Sequence, residues 1–286
     1  MDKKGNFVKI LVWLGIMAAL TLVAMVIWTV VFQGSQSTES LKWLQFLQTI
    51  GTFLLPPILC ACLWDEHHRP FNWLKMNGNP DGRLALLAVA IMVCAIPAIN
   101  LLADLNGRIH LPECMAVWEA KMRAMEDAAY ALTQRFLQAE NLGMLVGNIV
   151  LMALLPAFAE ELSFRGTLQQ LLGNKHVAIW ITAVIFSAIH MQFYGFIPRM
   201  LMGAMFGYVF VWTGSLWIPI LMHFTNNGIA VLAYYITADD TASQTIADTL
   251  GAGDTWWLGV ISLIGTIALI GLFYTLTKKS KKYEIV

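Results

Sequence analysis

Long apolar runs separated by short polar segments recur along this chain of 286 residues. A helix of about 20 apolar residues crosses a lipid bilayer. Runs of that kind occur eight times, near 7–32, 41–64, 84–104, 142–160, 176–193, 197–213, 216–237 and 256–277. Only 13% of the residues are charged, about half of the roughly 25% usual in soluble proteins. The sequence therefore predicts an all-α, polytopic membrane protein with about eight transmembrane helices.

The charges exclude some partners and orient the chain in the membrane. The 18 basic and 18 acidic residues balance, so no basic surface for nucleic acid is expected. Lys and Arg concentrate in cytoplasmic loops, and placing the N-terminus inside puts twelve basic residues on the cytoplasmic side and six outside. The loop 238–255 fits the outside because it contains Asp239, Asp240, Asp248 and Asp254 but no Lys or Arg. We expect a multi-pass protein of the cell membrane with both termini in the cytoplasm.

The motif content divides the chain into three segments. Residues 1–140 hold three transmembrane helices and an amphipathic extracytoplasmic helix at 113–140. Residues 141–240 form a core that contains polar motifs, and residues 241–286 hold an acidic loop, a last transmembrane helix and a basic cytoplasmic tail. In the amphipathic helix apolar residues recur at steps of three and four, at Trp118, Met122, Met125, Ala129, Leu132 and Phe136. This helix is expected to lie on the membrane surface or to cap the bundle.

Polar side chains inside the predicted spans mark a candidate site. An ionisable side chain at bilayer depth costs on the order of 3 kcal/mol, and most of the spans avoid it. Polar and ionisable side chains gather in three short motifs, which contain Glu160, Glu161 and Arg165, then Phe186 and His190, then His223 and Asn227. We therefore expect these residues to come together in the core.

The spacing within each motif indicates what its residues can do. Glu161 and Arg165 are four apart and can pair on one helix face, which leaves Glu160, about 100° around the helix, free to act as a general base toward water. His190 is a second group that can handle a proton. His223 and Asn227 share a face and offer N–H donors for an oxyanion. No Ser or Cys nucleophile accompanies them, so the pattern favours peptide hydrolysis by an activated water.

In order and spacing, these motifs resemble a known family. Glu160-Glu161-x-x-x-Arg165, Phe186-x-x-x-His190 and His223-x-x-x-Asn227 are similar to the three motifs of the CPBP family, the type II CAAX prenyl protease and bacteriocin-processing (Abi) group. The resemblance covers roughly residues 145–237. It implies an intramembrane endopeptidase that acts on a peptide or membrane-protein substrate, with a site open toward the cytoplasmic side.

The resemblance also assigns roles to the residues. Glu160 and His190 would activate the water, and His223 and Asn227 would hold the oxyanion. Glu161, Arg165 and Phe186 would shape the site. The family is often described as metalloproteases, and Glu160, His190 and His223 would be the ligands of one zinc ion. An HExxH motif is absent from the sequence, and a mechanism that needs no cofactor fits equally well.

Two other functions are compatible with the same residues. One is a non-hydrolytic membrane protein of this fold, such as a bacteriocin immunity factor or scaffold. The other is a proton-coupled carrier, since buried Glu and His also form proton relays. A hydrolase needs its polar side chains gathered around one water-sized space, whereas a carrier needs them spread along a path between the two sides of the membrane.

Overall fold

The structure is a computed structural model, which describes residues 3–65, 67, 69–78, 81–173, 175–238 and 249–283. These residues contain helices and no strand, which confirms the all-α prediction. Nine longer helices occur among them: α1 (Lys3–Phe32), α2 (Thr38–Trp64), α3 (Gly82–Gly107), α4 (Ala116–Leu137), α5 (Leu142–Gln169), α6 (Lys175–Ala188), α7 (Phe196–Thr213), α8 (Trp217–Thr237) and α9 (Trp256–Tyr283). Most of the predicted acidic loop, with Asp239, Asp240 and Asp248, lies outside the described residues.

Every predicted span coincides with a helix, and the chain is a multi-pass membrane protein. Within the described ranges, six helices are long and apolar enough to cross a membrane, namely α1, α2, α3, α5, α7 and α9. Of the two remaining predicted spans, α6 has only 14 residues. Helix α8 has 21 residues but carries His223 and the polar run from Thr225 to Asn227 in its middle. The polar residues that define the candidate site therefore make α8 less apolar than a typical span.

Two predicted boundaries are wrong, and both lie at the candidate site. Helix α5 continues to Gln169 rather than ending near 160. Arg165, which the topology placed in a cytoplasmic loop, is instead fully buried, because its charge is neutralised inside the protein and the helix has no need to end there. Helix α6 ends at Ala188 rather than near 193, since the chain turns at 189–191 and Met191 has a φ of 54°.

Helix α5 changes its winding on both sides of the first motif. Its residues Leu155–Ser163 are α-helical, whereas Ile149–Leu154 before them and Phe164–Gln169 after them are π-helical. Short π-helical stretches inside α-helices occur frequently at functional sites. The two acidic residues of the motif thus lie in an α-helical segment bracketed by π-turns, and Arg165 lies in the second π-turn.

Two apolar clusters hold the helices that carry the motifs. One joins α3, α7, α8 and α9 through buried side chains that include Ile91, Phe206, Met222 and Phe273. The other joins α1, α2, α5 and α6 through Trp13, Cys60, Phe164, Leu168 and Phe186. Helices α5 to α8, which carry every motif, are therefore held from both sides.

Helix α4 confirms the predicted amphipathic helix, although it begins at Ala116 after a 3₁₀ turn at Glu113–Met115. It buries only Phe136 and Leu137, and Trp118 on its predicted apolar face is 61% exposed. Its polar residues attach it to two other parts of the bundle. Glu126 accepts a hydrogen bond from the backbone of Tyr194, before α7, and Arg135 donates to Thr38, at the start of α2.

Candidate active site

A buried ion pair forms the centre of the candidate site. Arg165 Nη1 lies 2.6 Å from Glu161 Oε1, and both side chains are fully buried. Arg165 Nη2 donates to the carbonyl oxygen of Gly203 at 2.8 Å, and the guanidinium lies over the rings of Phe186 and Phe206, at 4.8 and 5.5 Å from their centroids. The pairing predicted from the four-residue spacing is confirmed. A charge this deep is tolerated only because it is paired and hydrogen-bonded.

His223 connects this ion pair to Glu160. Its Nδ1 lies 2.9 Å from Glu161 Oε1, and its Nε2 lies 3.9 Å from Glu160 Oε2. An ionised carboxylate only accepts hydrogen bonds, so this contact assigns the proton to Nδ1. The distance to Glu160 is too long for a direct hydrogen bond but suits one water that bridges both groups. The sequence did not predict this link between Glu161 and His223.

The proton on Nδ1 determines what the other ring nitrogen of His223, Nε2, can do. In the neutral imidazole Nε2 has no proton, so it accepts a hydrogen bond from a water beside Glu160. In the imidazolium Nε2 becomes a donor, as the oxyanion role expected from the sequence requires. The ring is fixed in both cases, because Phe206 stacks against it with centroids 5.5 Å apart and Phe186 meets it edge-on at 5.9 Å.

His190 lies just beyond the end of α6, on the other side of Phe186. The ring of Phe186 meets that of His190 edge-on, with centroids 5.2 Å apart. Nδ1 of His190 lies 2.8 Å from the carbonyl oxygen of Phe186 and donates to it, so Nε2 is the atom left for a substrate or water. Ser187 Oγ donates to the carbonyl of Phe196 at 2.7 Å, which fixes this turn to the start of α7.

Asn227 lies one helical turn after His223 on α8. Its Oδ1 accepts a hydrogen bond from Asn226 Nδ2 at 3.1 Å. This contact makes Nδ2 the donor end that Asn227 presents. Asn226 was not among the predicted site residues, although it adjoins Asn227 in the sequence.

Arg199 is a further cation that the sequence reasoning did not place at the site. Its Nη2 lies 2.7 Å from Gln192 Oε1, and its charge interacts electrostatically with both Glu160 and His190. The topology had assigned it to the outside as an ordinary positive charge. The available signal was its position one turn after Gly195, within an otherwise apolar helix.

The glycines of α7 allow the close approach on which the ion pair depends. A Cβ atom on Gly203 would lie 3.2 Å from Phe186 Cδ1 and 3.3 Å from Arg165 Nη2, and one on Gly207 would lie 2.6 Å from Gln169 Oε1. The backbone oxygens of both glycines accept hydrogen bonds from α5, because Gln169 Nε2 donates to Gly207 at 3.1 Å just as Arg165 donates to Gly203. The close packing of α5 against α7 therefore also satisfies buried polar groups.

The zinc set considered from the sequence is not gathered in the structure. Among the described residues no group of three or more His, Cys, Asp or Glu side chains is placed to hold a metal ion. Glu160 and His223 approach each other, whereas among the described residues His190 makes no hydrogen bond or ion pair with either of them. The residues therefore do not fit a three-ligand metal site as they are arranged here.

Comparisons with known proteins match the part of the chain that carries the site. Residues 142–229 match the family model described as type II CAAX prenyl endopeptidase Rce1-like. The uncharacterized protein YpbD of Bacillus subtilis (strain 168) is 35% identical over an alignment of 88 residues, and the match covers 29% of this chain and 44% of that protein. The chain thus matches less than half the length of this relative, and no solved structure matches it. The match falls within the segment 141–240 and contains all three motifs.

Proposed function

Through residues 142–229 the chain belongs to the CPBP family of type II CAAX prenyl endopeptidases, and from that premise we propose that it hydrolyses peptide bonds within the membrane. The observation that carries the proposal is the pair formed by Glu160 and His223. Glu160 Oε2 lies 3.9 Å from His223 Nε2. The other ring nitrogen, Nδ1, donates to Glu161, which is itself paired with Arg165. This spacing accommodates one water between a base and a nitrogen.

In the proposed reaction the water between Glu160 and His223 is the nucleophile. Glu160 takes a proton from the water as the oxygen bonds to the carbonyl carbon of the scissile peptide, and the carbonyl electron pair moves onto its oxygen. The C–N bond then breaks as the proton on Glu160 passes to the leaving amine. In this proposal His190 assists Glu160 in both proton transfers through its Nε2.

In the proposed mechanism His223 and Asn227 stabilise the oxyanion. The carboxylate of Glu161 at Nδ1 stabilises the imidazolium form of His223, in which Nε2–H is a donor. Asn227 Nδ2 supplies a second donor, and fixed donors in a water-poor site are effective at stabilising an oxyanion. No step in this mechanism passes through a metal ion.

The arrangement favours a hydrolase over a carrier. Contacts join Glu160, Glu161, Arg165 and His223 in one cluster rather than along a path between two sides. We propose further that the protein lies in the cell membrane with both termini in the cytoplasm. The basic residues support this orientation even when the buried Arg165 is removed from the cytoplasmic count.

Proteolysis in native membranes tests the proposed function. Cells that produce the wild type, the Glu160→Gln variant and the Asp104→Asn variant are compared by labelling all protein N-termini and quantifying them by mass spectrometry. Asp104 belongs to an exposed ion pair with Arg108, so its substitution is the matched control. We expect a set of new N-termini, in or beside transmembrane segments, with the wild type and Asp104→Asn but not with Glu160→Gln. The same N-termini in all three samples would contradict the proposal.

A further inference from the structure

A groove between α3, α4 and α8 borders the proposed site. Its volume is about 330 Å³, within the range of about 300–1,000 Å³ typical of ligand pockets. Ile99 and Asn100 of α3 form one wall, and Asn226 with the residues that follow it on α8 forms another. Thr133 and Gln134 of α4 form the third side.

The groove is continuous with the proposed catalytic residues. Asn226 lines it, and Asn226 Nδ2 donates to Asn227 Oδ1 at 3.1 Å. The inner end of the groove is therefore one hydrogen bond away from the amide that is proposed to hold the oxyanion. It runs along α8 from Asn226 to Thr237, the half of the helix that is remote from the turn at Gly214. In the predicted orientation this is the extracytoplasmic half, whereas the family resemblance implied access from the cytoplasm.

The lining of the groove indicates what it binds. The side chains that line it include amides, hydroxyls and aliphatic groups, and none of them is charged. A lipid phosphate would be met by Arg or Lys, and an acyl chain would be met by apolar groups alone. An extended peptide carries an N–H and a C=O at every residue, and each needs a partner where water is scarce. Amides such as those of Gln134 and Asn226 offer both donors and acceptors to such a backbone.

Helix α4 forms the outer side of the groove and buries only two side chains, Phe136 and Leu137. Near its end, Arg135 donates to Thr38 Oγ1 at 3.2 Å and to the carbonyl oxygen of Gln36 at 3.0 Å. In its middle, Glu126 accepts from the backbone N–H of Tyr194 at 3.1 Å. An element with few buried apolar contacts opens at low cost, so α4 can admit a peptide segment without unfolding the bundle.

We propose that this groove binds the extended, uncharged segment of substrate next to the scissile bond, chiefly through hydrogen bonds between its backbone and the side chains of Thr133, Gln134 and Asn226. The inference rests on the proposed endopeptidase function. It makes α4 part of the substrate-binding surface rather than only a cap on the bundle.

Kinetics on purified protein in liposomes test this role. The substrate is a library of quenched fluorescent decapeptides without charged residues. Thr133→Val and Gln134→Leu each remove side-chain hydrogen bonding with little change in size. The control is Gln138→Leu, because the Gln138 side chain is exposed and follows the lining residue Leu137 in the chain. We expect KM to rise about five-fold in each groove variant, as the loss of about one net hydrogen bond predicts, with kcat within about two-fold. A KM equal to that of Gln138→Leu in both groove variants would overturn the inference.

Binding separates this inference from the proposed function. Fluorescence anisotropy of the same peptides, labelled and unquenched, is measured on the Glu160→Gln variant with and without Gln134→Leu. Binding weakened about five-fold by Gln134→Leu supports the groove even if the wild type cleaves none of the peptides, an outcome that would refute only the hydrolytic function. Cleavage by the wild type with no effect of Gln134→Leu on affinity would refute only the groove. No binding and no cleavage would refute both.

Discussion

The ion pair between Glu161 and Arg165 should be among the most costly in the protein to disturb. The Glu161→Gln variant keeps the shape of the side chain and an oxygen that accepts from His223, but it leaves the guanidinium of Arg165 as a buried, uncompensated charge. Breaking one partner of a fully buried pair costs about 3–5 kcal/mol, a large part of the roughly 5–15 kcal/mol that stabilises a typical protein. At about 2 °C per kcal/mol for a large chain, the thermal midpoint in detergent should fall by about 6–10 °C.

An exposed pair with the same spacing provides the control. Asp104 and Arg108 are also four residues apart and 2.7 Å from each other, but their side chains are 30% and 64% exposed. Asp104→Asn should therefore change the midpoint far less. The double variant Glu161→Gln/Arg165→Met removes both buried charges and should recover most of the loss. Equal losses in Glu161→Gln and Asp104→Asn, or no recovery in the double variant, would refute the reasoning.

Three further predictions concern other parts of the account. Gly203→Ala should lower both the thermal midpoint and cleavage, because its Cβ would press on Phe186 and Arg165, whereas Gly271→Ala, with open space around its Cβ, should change neither. Hydrogen bonds from Arg123, His110 and the backbone of Leu111 lower the pKa of Glu119 to about 2. The ionised Glu119 carboxylate therefore contributes its full stabilisation above about pH 4.5, and this contribution declines as the pH falls toward 2. The difference in thermal midpoint between wild type and Glu119→Gln should be constant from pH 7 to 5 and shrink below that. Cleavage by purified protein should survive treatment with a metal chelator, and activity that chelation abolishes and zinc restores would overturn the metal-free mechanism.

The positions of the helices could be predicted because an apolar run is a local signal. Each of the eight runs coincides with a helix, but the ends at 160 and 193 were misplaced. At the first of these, Arg165 looks like a loop residue until its partners are known. One partner is four residues away, but the other is the carbonyl of Gly203, 38 positions along the chain. A local pattern cannot show that such a charge is neutralised.

The types of residue at the site could also be predicted, but their connections could not. Polar residues at membrane depth are rare enough to stand out singly, which is how Glu160, His190 and His223 were identified. The hydrogen bond between Glu161 and His223 joins residues 62 positions apart and exists only because α5 and α8 pack together. Because of this hydrogen bond, Glu161 orients the imidazole of His223, a more specific role than the site-shaping one expected from the sequence.

The part played by Arg199 depended in the same way on tertiary structure. In the sequence it is one positive charge near a predicted helix start. In the fold, it lies in the first turn of α7, within electrostatic reach of Glu160 and His190. Helix α4 was similarly ambiguous, and only its contacts with Thr38 and Tyr194 show that it crosses one end of the bundle.

The most direct test of the central claim is the cleavage rate of purified wild type and Glu160→Gln on one peptide that the wild type cleaves, in the same liposomes. Glu160 is the proposed base, and general acid–base catalysis contributes about 10²- to 10⁴-fold. We predict that Glu160→Gln loses at least about a hundred-fold in kcat while its thermal midpoint stays within about 2 °C of the wild type. Equal rates in two equally folded proteins would contradict the account.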